Sequence, residues 1–289
     1  MPLFSATGIL NSSINTQIPE KRCQTSPMAE QIEESTVFSC PHCSVELKLT
    51  QHSAYCVNGH TFDRSREGYI NLIVGGRLAT DSVSGDTPES LLARRRFFAT
   101  HSYIPIATAL NNALGIVDGP VLDVGCGEGF YLDNLTAVDK YGIDISKKAV
   151  QLVSKLIPTA RCAVASAFRL PILDHSCAAV FSVFAPHSFE EIQRVLQPGG
   201  TWVTVTPGPG HLHQMRPHRD QAIIEREERR SEPPVQANHA ERIQFDLDLS
   251  VEAAHDLFSM TPLVWQTAAN ASPATHVSVD VWLSRGTAP

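Results

Sequence analysis

The chain has 289 residues, 43% of them hydrophobic and 18% charged, with a formal net charge of −7. This fits a soluble globular protein of one large domain or two moderate ones, and no apolar run approaches the roughly 20 residues of a membrane span. Seven cysteines, an odd number, and an N-terminus without the basic start and apolar core of a secretory signal exclude a secreted disulfide scaffold and place the chain in a reducing cytoplasm.

Residues 1–36 mix Ser, Thr, Asn, Gln and Pro without periodicity and are expected to be disordered. Met28 stands just before the first organised segment, so residues 1–27 read either as a dispensable tail or as an early start assignment. A compact module is expected over 37–76. Its stretch CPHCSVELKLTQHSAYCVNGH spaces Cys40-x2-Cys43-x12-Cys56-x3-His60, two knuckles joined by a hairpin whose strands are VELKL and SAYCV. Three thiolates and an imidazole suit one closed, structural zinc site, with Gly59 turning the second knuckle. His42 and His52 lie inside the stretch and read as surface histidines, because the tetrahedron is complete without them. So small a module buries little core of its own, and the metal supplies much of its folding energy.

Residues 77–115 form a linker with helices. A polar loop at 75–86 is followed by a helix capped by Thr87, with Pro88 at its first position and Glu89 in its first turn. Arg94, Arg95 and Arg96 are consecutive and so fan around that helix; they read equally as a solvated triplet or as phosphate contacts. The N-terminal part carries seven Lys/Arg against six Asp/Glu over residues 38–110, so the chain's acidity lies elsewhere and a nucleic-acid partner is permitted. A second helix spans 104–114 and ends at Gly115.

Residues 116–289 alternate strand and helix. Strands are expected at 120–124, 140–144, 161–165, 177–183, 201–206 and 276–284, with helices from about 129, at 146–156 and at 188–196. This is an α/β pattern with a mostly parallel sheet covered on both faces. Residues 208–240 read as a polar insertion, and LDLSVEAAHDLFSMTPLVW as a helix and a turn. Cys126, Cys162 and Cys177 read as small core hydrophobes.

The chemistry concentrates at VLDVGCGEG, residues 121–129. A strand bearing Asp123 runs into Gly125, Gly127 and Gly129, whose backbone admits a ligand closely. The next strand ends in Asp144, twenty-one residues on, where an acid commonly holds ribose hydroxyls. GxGxG after an acid is not the dinucleotide GxGxxG. It resembles motif I of the Rossmann-like S-adenosylmethionine-dependent methyltransferases, and the PGG of RVLQPGGTWVTVTP, breaking a helix ahead of a hydrophobic strand, strengthens the likeness.

Taken in order, the zinc module, FDRSREGYINL, ARRRFFATHSY, LDVGCGEG, FAPHSFEEIQRVLQPGG and TPGPGHL resemble the bacterial 23S rRNA (guanine-N1)-methyltransferase family over roughly residues 38–285. The fold implied is a Rossmann-like methyltransferase sheet preceded by a zinc-binding β module. The resemblance implies methylation of one hairpin loop of 23S rRNA, and some relatives confer resistance to macrolides such as tylosin. It further implies that Tyr103, Gly127, Glu128 and His211 contact S-adenosyl-L-methionine and that Asp144 holds its ribose. Each has a plainer reading: Tyr103 as a packing ring, Glu128 as a solvated helix-start acid, His211 as a loop histidine. Where amino-directed methyltransferases often carry NPPY, this chain has Phe184-Ala185-Pro186-His187, which disfavours an exocyclic amine as target. Guanine N1 needs its proton removed and its pairing edge freed, so the base must lie in a loop or be flipped out. Phe184 or His187 is placed to stack on it, and His187 is the candidate general base. A homodimer is left open. Two other functions stay open on residues alone: a small-molecule methyltransferase, and a non-catalytic zinc-dependent RNA-binding protein.

Overall fold

The computed structural model describes residues 34–75, 87–216, 232–265 and 273–289. The leader up to residue 33, most of the 75–86 loop and the middle of the 208–240 stretch lie outside the described residues. Four short strands come first: β1 (Glu34–Ser39), β2 (Glu46–Leu49), β3 (Ser53–Tyr55) and β4 (Thr61–Asp63), antiparallel in the order β1-β2-β3-β4. The two expected hairpin strands are β2 and β3. β1 takes up Glu34, Ser35 and Thr36, which the sequence grouped with the leader, because Thr36 ties back across the hairpin through its hydroxyl to the Leu47 carbonyl at 2.9 Å.

The main sheet has eight strands. β5 (Ile70–Asn71), β6 (Val121–Val124), β7 (Lys140–Asp144), β8 (Arg161–Val164), β9 (Cys177–Val183) and β10 (Leu196–Pro207) run parallel. β12 (His276–Thr287) is antiparallel to β10 and to β11 (His239–Asp248). The order β11-β12-β10-β9-β6-β7-β8-β5 reverses direction at β6, and the carboxyl ends of the parallel strands there open a crevice of the kind that receives nucleotides. β11 was hidden inside the polar insertion and the stretch after it. Its Ile243, Phe245 and Leu247 alternate with exposed charged or polar residues, an edge-strand pattern diluted by the His, Arg and Glu around it.

Helix α1 (Pro88–Phe98) begins, and α2 (Ile104–Leu114) begins and ends, where the sequence places them. The Thr87 hydroxyl accepts from the Ser90 amide at 3.1 Å, and α2 stops at Gly115. α3 (Phe130–Asp133) is a single turn, and α4 (Lys147–Leu156) is capped by Ser146. α5 (Phe189–Val195) ends before Pro198-Gly199-Gly200, so the PGG does not itself break the helix. It forms a bulge inside β10, where pairing with β9 shifts between Leu196 and Thr201. α6 (Val251–Ser259) follows β11.

One face of the sheet is covered by α1, α2, α4 and α6, through Phe97, Leu110, Val150, Val153 and Leu257. The other face is covered by α5 and by the four-stranded ribbon. No helix lies between β8 and β9; instead β1 clasps that crossover, with the Ser39 amide donating to Pro171 O at 2.9 Å and the Leu173 amide to Val37 O at 2.8 Å. Phe38 sets its ring edge-on to Tyr141 of β7 at 5.4 Å. The ribbon thus borrows its core from the sheet, which answers the sequence's difficulty that so short a module has little to bury. Cys126, Cys162 and Cys177 are buried as expected, and burial pushes the thiols of Cys162 and Cys177 up to about 12. Among the described residues no helix is long and apolar enough to cross a membrane.

Candidate functional site

The metal site closes as its spacing requires. The Ser44 amide donates to Cys40 O at 2.7 Å and the Gly59 amide to Cys56 O at 3.0 Å, the two knuckle turns, and Gly59 takes the left-handed conformation (φ 84°) expected of it. His60 Nδ1 stands 3.5, 3.4 and 3.4 Å from the sulfurs of Cys40, Cys43 and Cys56, and Cys43 Sγ stands 3.7 Å from Cys56 Sγ. A tetrahedron with zinc–sulfur bonds of about 2.3 Å and a zinc–nitrogen bond of about 2.0 Å has edges of roughly 3.8 Å between sulfurs and roughly 3.5 Å from sulfur to nitrogen. These four edges match, and all four ligand atoms lie within 4.8 Å of one another, a cluster gathered for zinc. His42 is not a ligand; its ring stacks on His60 at 4.8 Å and on Phe62 at 6.0 Å.

The glycine turn stands at the switch point. A Cβ on Gly125 would come within 2.3 Å of Ala185 Cβ, and one on Gly129 within 2.4 Å of Val153 Cγ2, so these two glycines serve close packing against the β9 loop and against α4. A Cβ on Gly127 would meet Arg94 Nη1 at 3.7 Å, an ordinary contact, so this glycine is not packed against as Gly125 and Gly129 are. Asp144 folds back on this turn, accepting from the Gly127 amide at 2.9 Å and from the Ser146 amide at 2.8 Å. Asp123 is 2% exposed; burial and then the charge of Asp144 push its carboxyl well above the usual carboxylate range. Glu128 is buried too, not a solvated helix-start acid.

Tyr103, at the head of α2, is buried, with its ring edge-on to Phe97 at 5.0 Å and 6.2 Å from Phe184. His211 lies in the turn after β10, only 8% exposed, and its ring stacks on Phe184 at 5.5 Å. Burial, then the charge of Arg216, depress its imidazole to about 4, so it is neutral at physiological pH. Tyr103, Phe184 and His211 thus form one aromatic wall at the carboxyl end of the sheet. His187 does not join it: its ring packs edge-on to Phe189 at 5.2 Å. Its Nδ1 lies 3.1 Å from the Ala185 carbonyl, which only accepts, so Nδ1–H is the donor there and Nε2 is the nitrogen left for a ligand.

The sequence missed Tyr131 altogether, and it did not foretell the backbone of Phe184 or the direction of Arg94. Phe184 adopts a left-handed backbone (φ 54°), a strained state for a bulky residue and a mark of functional loops. Tyr131 is 8% exposed, and its hydroxyl is buried with no hydrogen-bond partner among the described residues; Tyr103, Asp123, Arg94 and Glu128 all act on it electrostatically. A buried hydroxyl left without a protein partner fits a polar ligand that reaches it. Of the arginine triplet, Arg96 pairs with Asp256 of α6 through Nε at 2.9 Å, while Arg94 points to the glycine turn.

Comparison with known proteins agrees with both halves. Residues 38–74 match the zinc-ribbon family model described as "RlmA, N-terminal", and residues 122–204 match the model described as "Methyltransferase domain". A Streptomyces fradiae protein named 23S rRNA (guanine(748)-N(1))-methyltransferase is 31% identical over 245 residues, covering 78% of this chain and 85% of that protein. Relatives from Micromonospora griseorubida and Bacillus subtilis, whose names assign 23S rRNA guanine-N1 methylation provisionally, are each 30% identical. They cover 79% and 80% of this chain and 86% and 87% of their own lengths.

Proposed function

Because the chain belongs to the family of 23S rRNA (guanine-N1)-methyltransferases, we propose that it methylates N1 of a guanine exposed in a hairpin loop of that RNA, in the cytoplasm. It is an S-adenosylmethionine-dependent rRNA methyltransferase with one structural zinc. The observation that carries the finer reading is the pairing of the Gly125–Gly129 turn, with Arg94 brought against Gly127, with an aromatic wall of Tyr103, Phe184 and His211 at the same sheet edge.

Bound at that edge, the donor supplies an electrophilic methyl group on a sulfonium. Gly127, Glu128, Tyr103 and His211 would hold it, and Asp144 would take its ribose hydroxyls. Asp123, Gly125 and Gly129 shape the turn by packing. Phe184, half-exposed and locked in its strained backbone, is the platform on which an unpaired guanine stacks. His187 Nε2 accepts the N1 proton, which makes N1 nucleophilic. Some members of the family the chain resembles confer resistance to macrolides, so resistance to such drugs is the expected phenotype. A homodimer is compatible with this reading and is read by its mass in solution.

Incubating the protein with labelled donor and 23S rRNA, then mapping reverse-transcription stops, tests the reading, since N1 methylation blocks pairing. A stop at one loop guanine supports it. Label appearing only in a small-molecule pool, or in RNA without a stop, refutes it.

A further inference from the structure

Asp280 is the one acid in the apolar strand HVSVDVWLS, 2% exposed between the fully buried Val279 and Val281. A lone carboxylate buried this way costs several kcal/mol unless its lone pairs are filled. Arg242 of β11 fills them with Nε at 2.6 Å and Nη2 at 2.7 Å, and the Gly210 amide adds a third bond at 2.7 Å. Burial works to raise the Asp280 carboxyl, but Arg242 and the Gly210 amide prevail and hold it below its ordinary value.

The backbone of the same residue grips the turn at two more points. Its carbonyl accepts from the Gly208 amide at 2.8 Å, and its own amide donates to His211 Nδ1 at 3.3 Å. A Cβ on Gly208 would stand 2.8 Å from the Asp280 carboxylate and one on Gly210 2.9 Å, so the approach demands glycine at both. An amide that donates to Nδ1 fixes that nitrogen as the acceptor, and the imidazole proton of a neutral ring must then sit on Nε2. Phe184 covers the ring face.

We propose that Asp280, clamped by Arg242, is a positioning residue for His211: it pins the Gly208–Gly210 turn to β12 and sets His211 as a neutral ring offering Nε2–H to an acceptor on the bound methyl donor. This rests on the reading of the turn as part of the donor site. A simple cross-strand ion pair would serve stability alone. Arg242 stands opposite Trp282 in register and leans over its ring at 5.8 Å, yet it reaches diagonally to Asp280, which a partner-strand pair has no need to do.

The test uses the zinc-loaded full chain labelled with nitrogen-15 histidine. Long-range proton–nitrogen spectra, with His211→Gln as the assignment control, report where the His211 proton sits, and calorimetry reports S-adenosylmethionine affinity. The wild type is expected to show the Nε2–H tautomer without donor. Asp280→Asn is expected to mix the tautomers and weaken the donor at least about tenfold, and Arg242→Lys to weaken it about threefold. An Nδ1–H tautomer or an imidazolium in the wild type overturns the proposal even where Asp280→Asn fails to fold. So does wild-type affinity, within twofold, in Arg242→Lys and Asp280→Asn together. Full affinity in His211→Gln with the tautomer as stated overturns the placement of the turn in the donor site instead.

Discussion

Removing the zinc should unfold far more than the ribbon. Phe38, Leu47 and Leu49 are 1%, 0% and 2% exposed, and they belong to the same apolar cluster as Tyr141, Ile143 and Trp202 of the main sheet. Uncovering each side chain costs roughly 1.5–3 kcal/mol, or roughly 5–9 kcal/mol for the three. The freed ribbon regains conformational entropy, which returns part of that. A net loss of about 3–4 kcal/mol is a large share of the roughly 5–15 kcal/mol that holds a domain together. At about 2–4 °C per kcal/mol for a domain of this size, the melting temperature should fall by about 6–16 °C. Calorimetry of the chelated protein should show one lowered transition that zinc restores, together with dye binding by the uncovered sheet face. Two transitions, the upper one unmoved by chelation, would refute the shared core.

Gly125→Ala places a methyl 2.3 Å from Ala185 Cβ at φ 81°; it should cost about 2–5 kcal/mol in chemical denaturation and abolish donor binding. Tyr131→Phe removes a buried hydroxyl that lacks a partner, so stability should hold or rise by about 1 kcal/mol while donor affinity falls about three- to thirtyfold. Equal affinity in that variant would show that the hydroxyl faces no ligand. His187→Ala should lower the single-turnover rate by about 10²–10⁴ with donor affinity intact; a near-normal rate removes it as the base. Acid should destabilise the fold through His211. Its folded value, about 4, lies below the ordinary 6.5, so the unfolded chain binds the proton that the native one refuses. Stability is full above 6.5 and drains as the pH falls from there to about 4, by up to about 3 kcal/mol. His211→Gln should flatten that part of the profile in denaturant titrations.

What could be read from the chain divides by how far apart the partners lie. The parallel core strands announce themselves as short apolar runs such as VLDV and CAAVFSV, because a strand buried on both faces has no polar side to show. The caps at Thr87 and Gly115, the zinc knuckles and the glycine turn are local too, each fixed by residues within one turn or one hairpin. β11 failed that test because an edge strand alternates, and charged neighbours mask an alternation of only three apolar residues. The ribbon's debt to the sheet was also invisible: the alternation in ELKL shows that one face is buried and is silent about what buries it. Spacing along a helix foretold that Arg94, Arg95 and Arg96 diverge, and could not foretell that Arg96 finds Asp256, 160 residues on, while Arg94 turns to Gly127. The His211 clamp joins residues 38 and 69 positions apart across two strands, one of them unrecognised. Yet a single acid among Val277, Val279, Val281, Trp282 and Leu283 is itself a signal, since burial of a carboxylate is tolerated only where something fills its lone pairs. Here the filler is the turn that carries His211, so the costliest residue of the last strand points to the site.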